Sequence, residues 1–234
     1  GNAVVDPGPG GSPVTVTASN YLGKSTNGAN PSLSSSVTTT TATDSMVVVA
    51  VGADDYDGGT ISVTLDGAPM TQAGSNAQSA DIIGALFYAP VSTVGANAIE
   101  ITSTLSGSNQ GGIYAQAFVL ENVDESQTPV FDSDGVNAVT TSTTLTPAAA
   151  DSALVSMVVW DSFSSVSSVS PAFDSYTESD NRFAAGYTEG LAASSHTQDW
   201  MLNNSDKMVS ISAAFVPAGG GTLIMADASD DSGF

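Results

Sequence analysis

Short segments rich in Val, Ile, Thr and Phe alternate along the whole chain with turns built from Gly, Asn, Asp and Ser. That rhythm restricts the chain to strands and tight connections. In Ile61-Ser62-Val63-Thr64-Leu65 the apolar residues fall on one face of a strand and the hydroxyls on the other. Asp66-Gly67 follows, a pair that accepts the positive φ angles of a tight hairpin. Ile99 and Ile101 alternate with Glu100 and Thr102 in the same way. Met46 to Val51 and Leu154 to Trp160 are nearly continuous apolar runs, which predicts central strands covered on both faces. No amphipathic helix is legible. Lys, Arg and Glu are scarce, and runs such as Thr38 to Thr41 favour strand. The expected fold is all-β, an antiparallel two-sheet sandwich of jelly-roll-like form. Val47, Val49, Phe118, Leu154, Val158 and Phe215 are its expected core.

The chain also echoes itself. Asp44-Ser45 before the first apolar run parallels Asp151-Ser152 before the second, and Ala117-Phe118-Val119 parallels Ala214-Phe215-Val216. This self-similarity predicts an internal duplication. The two units could stack as two domains or interleave in one sandwich; the short connection from Val123 to Val136 favours interleaving. The expected division is an N-terminal arm and first strand over 1–33, a sandwich over 34–217 with halves at 34–122 and 137–217, and a Gly linker with an acidic tail over 218–234. The arms are expected to be extended. The opening Gly1-Asn2-Ala3 has neither the basic region nor the apolar segment of a signal peptide, consistent with a form from which one was removed.

Twenty-four acids face three bases, Lys24, Arg182 and Lys207, for a net charge of −21. Charged residues make up 12% of the chain, against about a quarter in an average protein. The acids are therefore not in excess; the bases are missing. Nucleic acid is disfavoured as a partner, because phosphate neutralisation needs clustered Lys and Arg. Anionic membrane surfaces are disfavoured for the same reason. Membrane insertion through an apolar helix is not expected, since the longest apolar run is far too short to span a bilayer. The chain has no cysteine, so no disulfide supports it.

The stretch Asp44-Ser45-Met46-Val47-Val48-Val49-Ala50-Val51-Gly52, then Val63-Thr64-Leu65-Asp66-Gly67-Ala68-Pro69-Met70, then Phe118-Val119-Leu120-Glu121-Asn122-Val123-Asp124 with Pro129-Val130, resembles a poorly characterised β-sandwich module. Such modules recur in bacterial secreted proteins and in phage structural proteins. The resemblance spans residues 34–217. It implies a fold, and it brings no catalytic residues with it.

Enzymatic constellations are weak. His196 has Asp199 and Trp200 nearby, but no Gly-x-Ser-x-Gly elbow accompanies them. The glutamates, among them Glu100, Glu121, Glu125, Glu178 and Glu189, show no spacing that pairs two across a cleft. No catalysis is expected and no cofactor is required. Acidic turns carry a stronger signal. Asp54, Asp55 and Asp57 lie in a Gly-ended loop, and Asp132 and Asp134 precede Gly135. Carboxylates in flexible loops suit calcium, although neither loop completes the twelve-residue calcium pattern. Trp160, Trp200 and the tyrosines are candidates for a sugar-stacking platform, with Trp160 placed instead in the core because it ends an apolar run.

These features predict a structural protein of an extracellular assembly, a phage virion component such as a capsid decoration or tail protein. Its location would be the virion or the cell exterior, and its partners copies of itself or other virion or surface proteins. The alternative is a secreted carbohydrate-binding or adhesin module, with glycans as partners and calcium as a possible ligand. Leu223, Ile224 and Met225, isolated behind Gly219-Gly220-Gly221, are the expected subunit contact, added as a strand to a neighbour.

Overall fold

A computed structural model describes residues 11–25, 30–53, 59–74, 77–79, 82–105, 112–161, 164–179 and 181–219. Among these residues there is no helix, and every strand pairing is antiparallel. The first half holds β1 (Thr15–Ser25), β2 (Ser32–Thr39), β3 (Ser45–Ala53), β4 (Gly59–Leu65), β5 (Ala68–Pro69), β6 (Thr71–Gln72), β7 (Ala77–Ser79), β8 (Ile82–Pro90), β9 (Gly95–Leu105) and β10 (Ile113–Glu121). The second holds β11 (Val130–Leu145), β12 (Ser152–Trp160), β13 (Val166–Ser170), β14 (Ser175–Ser179), β15 (Phe183–Leu191) and β16 (His196–Phe215).

In the first half an inner sheet runs β1-β10-β3-β8-β6, with β7 also on β8, and an outer sheet runs β2-β9-β4-β5. The second half is one hydrogen-bonded sheet, β11-β16-β12-β15-β14 with β13 on β16, and it bends into two layers. Val130 to Ala138 pairs with Ala214 to Asp206; the register then jumps, and Thr140 to Leu145 pairs with Met201 to His196. The first part of β11 and the last part of β16 join β12, β15 and β14 in an inner layer. The remainder of both strands joins β13 in an outer layer.

The two inner layers stack face to face. Met46, Val48 and Ala50 of β3 share one buried cluster with Val155, Met157 and Val159 of β12 and with Val209, Ile211 and Phe215 of β16. The intervening Val47, Val49 and Val51 turn the other way, onto Val37, Ile61, Val63, Ile99 and Ile101 of the first outer sheet. Beyond β12, Val158, Trp160 and Met208 meet Trp200 and Leu202 of the second outer layer. The molecule is thus four β layers deep. Both faces of β3 and β12 are covered, which is why both strands are buried at every position and why their sequences are apolar without alternation. Val47, Val49, Phe118, Leu154, Val158 and Phe215 are all buried.

The all-β antiparallel expectation holds, with a different arrangement of layers. Two sheets cannot cover β3 and β12 on both faces; four layers do. Strands of the two halves share no sheet among the described residues, so the halves stack and do not interleave in a jelly-roll-like manner. The first strand, grouped in sequence with the N-terminal arm, is an edge of the inner sheet. Residue 137, the expected start of the second half, lies inside β11.

The two halves share one strand order. β1-β10-β3-β8-β6 corresponds to β11-β16-β12-β15-β14, and β2-β9-β4 to the second outer layer's β11-β16-β13. The echoed Asp44 and Asp151 both take positive φ, 51° and 59°, at the entries to β3 and β12. Asp tolerates that conformation better than most residues. Each aspartate carbonyl accepts a main-chain bond from a valine, Val123 to Asp44 at 2.9 Å and Val14 to Asp151 at 3.0 Å. The phenylalanine echo is displaced. Leu120 pairs with Met46 in β3, and Phe215 pairs with Ala153, the residue that follows Ser152 as Met46 follows Ser45. Phe215 therefore occupies the place of Leu120, two residues from that of Phe118. A shift of two keeps the face, so both rings enter the central interface.

Candidate functional site

Several acids of this base-poor chain are placed against main-chain N–H groups. Glu125 accepts from Ser45 N at 2.9 Å, Asp66 from Ala98 N at 2.7 Å, and Glu189 from Val16 N at 2.5 Å. Asp174 accepts from Glu189 N at 2.7 Å and Glu178 from Val166 N at 3.3 Å. A carboxylate so engaged is stabilised by fixed dipoles without a cationic partner. These acids are thereby held without basic partners. Lys207 reaches Asp161 at 3.5 Å on the surface, where such a pair contributes little.

Asp132 and Asp134 belong to the same pattern. Both sit on the first part of β11. Asp132 accepts from Thr144 N at 2.6 Å; Asp134 accepts from Ser142 N at 3.0 Å and from the Thr141 hydroxyl at 2.8 Å. Each carboxylate and the N–H that donates to it are equidistant in sequence from Ala138, where β11 bends. The Asp-Ser-Asp-Gly stretch is a strand, not the expected loop. Asp54, Asp55 and Asp57, the other expected metal ligands, lie outside the described residues, as do Leu223, Ile224 and Met225. Among the described residues no group of three His, Cys, Asp or Glu side chains could hold a metal ion.

His196, Asp199 and Trp200 are separated by the pleat of β16. His196, Gln198 and Trp200 face inward, and Thr197, Asp199 and Met201 outward. Asp199 accepts from the Ser142 hydroxyl at 2.5 Å, and no imidazole–carboxylate dyad forms. The indole of Trp200 is fully buried and donates to Ser156 Oγ at 2.9 Å. Trp160 is buried too. Neither tryptophan offers a stacking face to solvent. Tyr176, 43% exposed, stands edge-on to Trp200 at 6.1 Å and is the outermost ring of that group.

Between the second half's layers lies a buried hydroxyl chain. Ser156 Oγ lies 2.9 Å from Ser212 Oγ, which lies 2.6 Å from Thr143 Oγ1; Thr141 Oγ1 lies 2.9 Å from Ser210 Oγ. This polar seam divides the second half's core into two apolar clusters, whereas the first half's is one. Nothing in the local sequence marks it, because Ser and Thr are equally frequent on the surface.

The outer faces are paved with short hydroxyls. On the first, Ser32-Thr102-Ser62 and Ser34-Glu100-Thr64 form rows across β2, β9 and β4, and Ser62 Oγ meets Thr102 Oγ1 at 2.7 Å. On the other, Ser142-Asp199-Ser170 forms the row, and Thr144 and Thr197 are paired at 2.9 Å. Each face carries one acid flanked by hydroxyls at the corresponding strand. Burial pushes the Glu178 carboxyl above its ordinary range, with the Val166 N–H pulling the other way. Burial, then Glu189 and Asp174, push the Tyr187 phenol up. Comparison of the chain with protein-family models, with curated proteins and with solved structures found no match.

Proposed function

We propose that this chain is a structural protein of an extracellular assembly, a phage virion component of the capsid-decoration or tail kind. The observation that carries this reading is the use made of the polar residues. On the outer faces they form short, mutually paired hydroxyl rows; elsewhere the acids hold strand ends and edges. Such a surface is rigid, poor in long mobile side chains and poor in protease-sensitive bases, which suits a coat exposed to the environment. We read the shared strand order as an internal duplication, a fused pair whose central interface joins the halves permanently.

Assembly would use the termini. Ala218 N donates to Asn122 O at 2.7 Å, and Gly11 lies against the carbonyl of Ala218, so the described chain ends are neighbours. In this reading Leu223, Ile224 and Met225 add to an adjacent subunit. Deleting residues 218–234 tests it. Loss of particles in negative-stain microscopy, with the monomer melt unchanged, supports the reading; particles that persist refute it. Capture on a glycan array that chelation abolishes would instead favour a calcium-dependent adhesin.

A further inference from the structure

Among the described residues no strand pairs with the outer edge of β11, and that edge is closed by the strand's own side chains. β11 ends both the inner and the outer layer of the second half. In an antiparallel ladder, successive residues direct their N–H and C=O groups to opposite edges. Ser142 N and Thr144 N are bonded to Asp134 and Asp132, so they point away from β16, toward the open side. The segment Thr140-Thr141-Ser142-Thr143-Thr144-Leu145 holds no charge and no proline and is rich in β-branched residues. Those are the properties of a strand that pairs readily with another. An uncovered edge of this kind is a template for association. The natural occupant is the same edge on a second copy, because a two-fold antiparallel arrangement lets each copy satisfy the other's N–H and C=O groups.

We propose that Asp132 and Asp134 guard this edge against pairing with a second copy of the chain. The carboxylates reach across from the inner layer and occupy two of the donors that an incoming strand would need. They leave the carbonyls of Ser142 and Thr144 without the reciprocal partners that make strand addition favourable. The guard works through hydrogen bonding, so an uncharged acceptor of the same shape retains part of it.

The test uses the full chain with D132A/D134A, D132N/D134N and wild type. Amide hydrogen exchange reads Ser142 and Thr144 directly, and sedimentation velocity reads association. In dilute solution D132A/D134A loses protection at those two amides, and on concentration it gains a species of twice the wild-type mass. D132N/D134N lies between it and wild type. Adding Thr144→Pro to D132A/D134A removes one edge donor and abolishes the new species. Unchanged protection in D132A/D134A, or a new species that survives Thr144→Pro, overturns the proposal. If D132A/D134A does not fold, D132A alone is read at Thr144, where retained protection overturns it and lost protection supports it.

Discussion

Gly52 and Gly84 face each other across β3 and β8, paired in register on the side of the inner sheet that meets the second half. Together they leave a patch of that sheet without side chains. Val159 and Phe183 fill the space over Gly52, and Val209, Met157 and Ile211 the space over Gly84. The halves approach closely because two neighbouring positions yield.

The two glycines should respond differently to a methyl group. A Cβ on Gly52 would lie 2.9 Å from both Val159 Cβ and a Phe183 ring carbon, atoms that are fixed by their own packing. At Gly84 the close atoms are Val209 Cγ1 at 3.1 Å and Met157 Cε at 3.2 Å, the second on a flexible side chain. Gly52→Ala is expected to cost about 1–3 kcal/mol by overpacking. Gly84→Ala should be near neutral, its smaller clash offset by the reduced entropy of the unfolded chain. Calorimetric melts that rank the two in the opposite order would refute this account of the interface.

Two edge-on aromatic pairs bridge the same interface reciprocally, beside the stacked pair Tyr114 and Phe183. Tyr88 of the first half meets Phe215 of the second edge-on at 6.1 Å, and Tyr187 of the second meets Phe118 of the first at 6.2 Å. Phe118→Ala and Phe215→Ala should each destabilise by about 3–5 kcal/mol, since both rings are buried. Denaturant unfolding should show both losses in one transition, because the rings stabilise a shared core. Two separate transitions would mean that the halves unfold independently.

The strands were legible because each announces its own face. Ile61 to Leu65 alternates, and Asp66-Gly67 turns with φ of 50° and 80°. The runs at Met46 and Leu154 likewise signalled two covered faces. What covers them was not legible, because Val47 and Val48 look alike in sequence whether they meet the same half or the other. The roles of the acids were hidden for a related reason. Glu189 and Val16 are 173 positions apart and meet only in the stacked molecule. Asp132 and Thr144 could have been matched only by placing the bend at Ala138, where neither Gly nor Pro marks it.

The hydroxyl seam should be sensitive to its centre. Ser156 Oγ is the partner of both the Trp200 indole and Ser212 Oγ, all fully buried. Ser156→Ala leaves a buried indole N–H without its acceptor, which costs about 1–3 kcal/mol. Trp200→Phe alone also breaks the bond, but it removes the stranded donor. The double change should therefore cost less than the sum of the singles. Strict additivity in chemical denaturation would show that the bond contributes nothing.

Glu178 gives the pH dependence of one edge. Burial raises its folded pKa above the ordinary value, and the Val166 N–H offsets part of that. A carboxyl raised in this way favours the fold at low pH, below its unfolded value. That contribution is lost as pH rises through the folded value, because the charged form is then confined to a half-buried place. Near neutral pH, Glu178 therefore weakens the β14 edge. Glu178→Gln keeps an oxygen for Val166 N and carries no charge. It should raise Tm near neutral pH, and the gain should fade as pH falls below the ordinary carboxylate range, where wild-type Glu178 is itself protonated. Calorimetry at the two pH values checks both the sign and the fading. A variant less stable than wild type near neutral pH would mean that the bond to Val166 outweighs the burial of the charge.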